Sequence, residues 1–174
     1  MMLLQNESIR LRALEPEDLE LLYKWENDPS IWSLGNTLSP YSRYVLKDYI
    51  SRSHLTIYEL KQLRLMIELR ESGEAIGIVD LYDFDPHNRK AGVGIILDPA
   101  YRGNGTATGA LNLLIDYAFS FLKLRQLYAY TPVKNEPSRS LFTRSHFTLS
   151  GVLSDWILTE DGFTDVLVMQ RISE

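Results

Sequence analysis

Apolar and basic residues alternate through Ile9-Arg10-Leu11-Arg12-Ala13, which predicts an edge-type strand with one buried face. The period then changes. Pro16 sits at a favoured first helical position, and Leu19, Leu22 and Tyr23 make a narrow stripe, predicting a helix that ends near Asn27-Asp28-Pro29. Residues 30–40 contain Trp32, Gly35, Asn36 and Pro40 without periodicity and read as a loop, after which a second helix is expected from about Tyr41 to Ser53. Strand-like runs follow at Leu63–Leu69, Ala75–Phe84 and Lys90–Leu97, separated by the turn sequences Glu71-Ser72-Gly73-Glu74 and Asp85-Pro86-His87-Asn88, so this part is a meander. Ala107, Ala110, Leu111, Leu114, Ala118 and Leu122 trace the apolar stripe of a further helix. A strand at Gln126–Thr131, a short helix at Pro137–Ser145 and two strands closing around Asp161-Gly162 complete an α/β order of about seven strands and four helices.

Composition narrows the possibilities. A chain of 174 residues with 45% apolar content fits one domain over 1–174, with no Pro/Gly/Ser-rich stretch to mark a second boundary. The absence of cysteine removes disulfides, thiolate-ligated zinc and a cysteine nucleophile together. His54, His87 and His146 have no second ligand at metal spacing, so no metal is expected, and no Gly-x-Ser-x-Gly elbow supports a serine hydrolase. The net charge of −5 argues against sequence-independent nucleic-acid binding. Met1-Met2-Leu3-Leu4 is too short for a signal-peptide core, and nowhere do about 18 apolar residues run together, which predicts a soluble, cytoplasmic protein without membrane association.

Candidate chemistry concentrates at Arg102-Gly103-Asn104-Gly105-Thr106-Ala107, between the Lys90–Leu97 run and the helix stripe. A glycine-rich turn feeding a helix start gathers unpaired backbone N–H groups and the positive end of the helix dipole, a site for a phosphate-bearing ligand. A dinucleotide-binding turn fits poorly, because Thr108 stands where its third glycine belongs and the next strand ends at Thr131 rather than an acid. A Walker loop is absent.

The spacing Arg-x-x-Gly-x-Ala resembles the acyl-CoA pyrophosphate loop of the GNAT N-acetyltransferase superfamily. Gly77-Ile78-Val79-Asp80-Leu81 looks like that family's third strand, and Asp98-Pro99-Ala100-Tyr101 like its turn out of strand four. Asn135 with Ser138, Leu141, Phe142 and Phe147 resembles its Asn-initiated helix, and Asp165-Val166 with Met169 its last strand. The likeness runs from Ile9 to Arg171 and is nearest the subgroup of ribosomal-protein N-terminal and spermidine acetyltransferases. It implies a mixed, mostly antiparallel sheet flanked by helices, with acetyl-CoA as co-substrate and a small-molecule or peptide amine as acceptor; a homodimer is compatible with it. By the same resemblance, residues Arg102, Gly103, Asn104, Gly105, Thr106 and Ala107 would hold the pyrophosphate. The backbone of Ile95, Ile96 and Leu97, splayed from the next strand by a bulge, would pair with the pantetheine arm, and Asn135 would hold the pantetheine or a water beside it.

Two positions depart from the family pattern. Gly92 stands where many relatives carry a glutamate that serves as base or holds a water, and Phe142 replaces a tyrosine able to protonate the departing sulfur. His146 also replaces the glycine before Phe147. A positioned acid or base supplies about a hundred- to ten-thousand-fold, so catalysis survives if orientation and a substituted base remain. Asp80 is the first candidate for that base, because it interrupts the apolar strand Ile76–Leu81; the alternative is a structural carboxylate bonded to backbone or to an arginine. Ser138 and Tyr130 are further candidates for proton transfer. Trp32, Asp80 and Gly92 are the acceptor-site candidates, the last because Gly92 and Gly94 share a strand face on which something approaches closely. Lacking the usual base, the site should favour a peptide α-amine over a polyamine, although Glu26, Asp28, Asp83 and Asp85 could recruit a polyamine by charge. A catalytically silent CoA-binding module is the rival reading.

Overall fold

The computed structural model describes residues 3–35 and 37–174; Met1 and Met2 of the opening segment and Asn36 of the expected loop lie outside the described residues. One seven-stranded sheet has the order β1-β2-β3-β4-β5-β7-β6. Here β1 is Ile9–Arg12, β2 Leu63–Leu69, β3 Ala75–Asp85, β4 Lys90–Leu97, β5 Gln126–Pro132, β6 Thr148–Thr159 and β7 Gly162–Ile172. All neighbours are antiparallel except β4 and β5. That parallel pair needs a crossover, supplied by the helix α5 (Thr106–Asp116).

The sheet has two differently used faces. On one, Met66 of β2 and Ile78 of β3 pack with Leu22 and Trp25 of α1 (Leu19–Glu26) and with Leu46 and Ile50 of α3 (Arg43–Ser51). On the other, Val79, Leu81, Ala91, Val93, Leu127 and Ala129 pack with Ala110, Leu111 and Leu114 of α5 and with Leu141 and Phe142 of α6 (Glu136–Arg144). Strand alternation sorts these residues, and burial of the two sets away from water drives the packing of the helices on both faces.

The meander strands fall where the alternation places them, while the helices are more numerous than expected, six α-helices among the described residues. The expected loop at 30–40 is in part helical, as α2 (Pro29–Gly35). Asp28 accepts hydrogen bonds from the Ser30 amide at 2.9 Å and the Ser30 hydroxyl at 2.7 Å, and Pro29 holds the first helical position, so the helix starts from an Asp-Pro cap rather than from an apolar stripe. The short α4 (Ile57–Leu60) likewise rests on a capping box between Thr56 and Glu59. At its far end α5 widens into a π-helical turn over Tyr117–Phe121. Among the described residues no helix is long and apolar enough to cross a membrane.

His146 follows α6 with a φ of +62°, a left-handed conformation at the position where a helix end favours glycine. A non-glycine residue there costs about 1–2 kcal/mol. His146→Gly should therefore raise stability by up to about 1 kcal/mol in urea denaturation, the gain being reduced by the greater freedom of glycine in the unfolded chain.

Candidate active site

The chemistry lies where the parallel pair comes apart. β4 and β5 are paired only at Lys90–Gln126, Ala91–Leu127 and Gly92–Tyr128; beyond this β4 keeps β3 alone and β5 keeps β7 alone. A V-shaped gap opens after Gly92 and Tyr128. No bulge at Ile95–Leu97 produces it, contrary to the expectation: β3 and β4 hold constant register from Gly92 to Leu97, and the irregularity lies instead between Tyr82 and Asp85, where Asp83 has a φ of +48°. Alternate residues of the unpaired part of β4 turn backbone N–H and C=O groups into the gap. The Leu97 carbonyl is already engaged, accepting from Arg102 Nε at 2.9 Å.

At the C-terminal end of β4 the predicted loop has the form its glycines require. Gly103 and Gly105 have φ of +83° and +86°, and a Cβ on either would meet nothing within 4 Å, so the turn is open on its outer side. Gly105 caps α5 without a side-chain bond. Among the described residues the backbone N–H groups of Gly103, Asn104, Gly105, Ala107 and Thr108 have no acceptor, whereas that of Thr106 is taken by Asn104 Oδ1 at 3.1 Å. Unpaired N–H groups at the start of an eleven-residue helix suit a diphosphate. The residues present fit the pyrophosphate of CoA.

Asp98, in the turn between β4 and the loop, ties this lip to α1. It accepts from Lys24 Nζ at 2.8 Å, Trp25 Nε1 at 3.3 Å and the Ala100 amide at 3.1 Å. The Lys24 and backbone hydrogen bonds hold its carboxyl below the usual aspartate range.

The α1/α3 side of the sheet changes character near the gap, from Met66 and Ile78 to Arg64, Asp80, Tyr82, Tyr128 and Tyr130. Arg64 on β2 faces Asp80 on β3 and grips both of its oxygens, Nε at 2.7 Å and Nη2 at 2.9 Å, while its Nη1 bonds Glu26 at the end of α1. The three side chains are 13–14% exposed. Burial opposes the Arg64 charge, but the Asp80 and Glu26 carboxylates outweigh it and raise the guanidinium above its ordinary value. Tyr49 lies beneath, its ring centroid 5.4 Å from the guanidinium carbon, with its phenol pushed up to about 12 by burial.

Asp80 is thus not enclosed by apolar neighbours, as its strand context suggested. β2 brings an arginine opposite it, and both carboxylate oxygens are held in charged hydrogen bonds. At Gly92 the approaching group is also identified: a Cβ there would stand 2.2 Å from Cε2 of the Tyr82 ring. Tyr82 meets Tyr128 edge-on at 6.0 Å, and Tyr128 meets Tyr130 at 5.5 Å, giving the gap an aromatic wall. Tyr130 is 46% exposed. Trp32, on α2, donates from Nε1 to the Glu26 carbonyl at 2.9 Å, so it fastens α2 to the end of α1. Asn135 is the N-cap of α6, its Oδ1 accepting from the Ser138 amide at 3.2 Å, which leaves its amide NH₂ free to donate. Ser138 lies in that first turn. Phe142 is buried against Phe147 at 5.0 Å. Among the described residues no group of three or more acids or histidines is arranged to hold a metal.

Arg64, Tyr82, Tyr128 and Asp98 were not among the site residues expected from the sequence. The period-two spacing of Tyr128 from the expected Tyr130 was the available signal for one of them; Arg64 needed the β2–β3 register.

An anion cradle beside strands that part on their C-terminal side is the arrangement of a CoA-dependent acyltransferase. The chain belongs to the GNAT acetyltransferase family: the acetyltransferase (GNAT) domain model matches residues 8–148. It is 32% identical over 146 residues to the spermidine N(1)-acetyltransferase of Escherichia coli (strain K12), covering 84% of this chain and 76% of that one. It is 30% identical to a putative ribosomal N-acetyltransferase of Bacillus subtilis (strain 168), covering 86% and 83%. The crystal structure of spermidine N-acetyltransferase from Vibrio cholerae in complex with CoA and spermine superposes with a TM-score of 0.85 at 27% identity, covering 96% of each chain. The protein is an acetyl-CoA-dependent N-acetyltransferase.

Proposed function

We propose that this enzyme acetylates a small primary amine of the polyamine type, transferring acetyl directly from acetyl-CoA in a ternary complex. The observation that carries the reading is the wall formed by Asp80, Tyr82, Tyr128 and Tyr130 at the opening of the β4–β5 gap. The Arg64–Asp80–Glu26 cluster keeps one net negative charge, which together with the aromatic faces attracts a cation, and an acceptor with a second ammonium would use both. The likeness to two spermidine acetyltransferases supports the same class.

The reaction needs the amine in its neutral form. A free primary amine of pKa about 10.4 is neutral in about one molecule in two thousand at pH 7. The ammonium drawn to this wall must therefore give up a proton to solvent through the open mouth before it attacks, the small neutral fraction being the reactive one. The amine nitrogen then attacks the thioester carbonyl carbon, a C–N bond forms, the C–S bond breaks, and sulfur leaves with the electron pair. One proton in all is released to solvent as ammonium and acetyl-CoA become amide and CoA thiol. The leaving thiol is acidic, at about 8.5 if cysteine-like, so departure without a tyrosine at Phe142 is feasible. Asp80 and Arg64 would orient and Asn135 would donate a hydrogen bond near the pantetheine arm; orientation supplies the larger share of the rate.

Thiol release from acetyl-CoA, followed with spermidine, simple diamines and short unblocked peptides at two ionic strengths, tests this. Spermidine should give the highest kcat/KM and lose rate in salt. Peptides turned over faster, with little salt effect, would restore the α-amine preference read from the missing base.

A further inference from the structure

We propose that the Tyr82 phenol positions the acceptor amine and that Gly92 is glycine in order to admit it, an inference that rests on the amine-acetyltransferase reading above. Tyr82 and Gly92 are directly opposed on β3 and β4. Side chains so opposed normally keep Cβ atoms about 4.5–5.5 Å apart. A Cβ on Gly92 would instead stand 2.2 Å from Tyr82 Cε2, 2.4 Å from Cζ and 2.7 Å from Cδ2. The ring therefore lies across β4 rather than standing up from β3, and only glycine leaves room beneath it.

This placement carries the outer end of the ring, with its hydroxyl, over the last residue of β4 that still pairs with β5. The gap opens immediately beyond. A Cβ on Gly94 would lie 3.9 Å from Tyr82 Cε1 and 3.9 Å from Asp80 Oδ2, so the second glycine leaves a recess between ring and carboxylate. Tyr128 closes the other side, edge-on at 6.0 Å. Among the described residues the Tyr82 hydroxyl makes no hydrogen bond, and it does not belong with the sealed, unpartnered hydroxyls of Thr131 and Ser145. It is a half-buried phenol whose oxygen is not sealed from solvent and has no partner among the described residues, at the end of a ring laid over Gly92.

Burial, reinforced by neighbouring Tyr128 and Tyr130, holds the Tyr82 phenol above its ordinary value, so it stays a neutral O–H through the whole working range. A neutral phenol is a poor base and a good positioner. Its oxygen accepts one N–H of the attacking amine, and the nitrogen lone pair is then turned toward the gap. The Tyr82–Asp80 recess takes the first carbons of the acceptor, which gives the site its preference for an unbranched primary amine.

Tyr82→Phe keeps the ring and removes only the hydroxyl. It should raise the KM for spermidine and lower kcat/KM about tenfold, the effect of one lost uncharged hydrogen bond, with the acetyl-CoA Kd and the melting temperature unchanged. Gly92→Ala should displace the ring and reproduce the kinetic loss, and the double variant should lose no more than the worse single one. The pH profile of kcat/KM should keep its shape in Tyr82→Phe. Unchanged kcat/KM in Tyr82→Phe, losses that multiply in the double variant, or disappearance of a titrating limb would each overturn the proposal. If Gly92→Ala does not fold, Tyr82→Phe decides alone. A wild-type enzyme silent toward every amine overturns the acceptor reading as well, whereas an active one indifferent to Tyr82→Phe overturns this inference only.

Discussion

Gly105→Val is expected to raise the Kd for CoA at least about a hundredfold while leaving the sheet and its two cores intact. Two effects combine. Gly105 has a φ of +86°, where a β-branched residue is strained, so the turn must reshape to accept valine. Its outer face is also the open side of a cradle in which the N–H groups of Gly103, Asn104, Gly105, Ala107 and Thr108 are unpaired among the described residues, so an added side chain occupies the ground that a phosphate must reach. Charge-assisted hydrogen bonds contribute about 1.5–3 kcal/mol each, and losing two exceeds the roughly 2.7 kcal/mol of a hundredfold change. Arg102→Ala should cost less, about 1–3 kcal/mol, because the Arg102 side chain already donates to Leu97 and acts partly by holding β4 to the loop. Isothermal calorimetry on both variants measures this, and unchanged affinity in Gly105→Val would remove the loop from the site.

Local pattern and long-range register divide what could be read from the chain. The strands Leu63–Leu69 and Lys90–Leu97 are found with their expected bounds, because alternation over a half-buried sheet is written in adjacent residues. The glycine loop was legible for the same reason: φ above zero and a helix start are local demands. Helix α2 was missed because its start depends on two hydrogen bonds from Ser30 to Asp28, and seven residues are too few to show a stripe. The meaning of Asp80 and Gly92 could not be read locally at all. Asp80 looks like an isolated acid until β2 sets Arg64 opposite it, and Gly92 looks like an empty position until β3 lays Tyr82 across it. In both cases the strand alternation was right and the partner was unknown.

The same register argument makes Arg64 the most consequential side chain outside the CoA loop. It is the one cation of a group in which Asp80 and Glu26 supply two carboxylates, all three side chains being 13–14% exposed. With the guanidinium removed, two half-desolvated anions would face a vacancy beside the Tyr49 ring. Breaking a buried pair in this way costs about 3–5 kcal/mol, most of it the penalty of the charges left behind rather than the worth of the bond. Arg64→Ala should therefore lower the melting temperature by about ten degrees, each kcal/mol being worth about 2–4 °C in a chain of this size. Arg64→Met with Asp80→Asn removes one cation and one anion together and fills part of the space, so it should recover much of the loss. Its activity then separates the two roles of Asp80. A refolded double variant that acetylates at near wild-type rate makes the carboxylate structural, whereas a stable but slow one ties the Arg64–Asp80 pair to orientation of the amine. Thermal melts read beside thiol-release kinetics settle the stability claim at once: an Arg64→Ala protein within about 1 kcal/mol of wild type would show that water reaches the cluster and screens it.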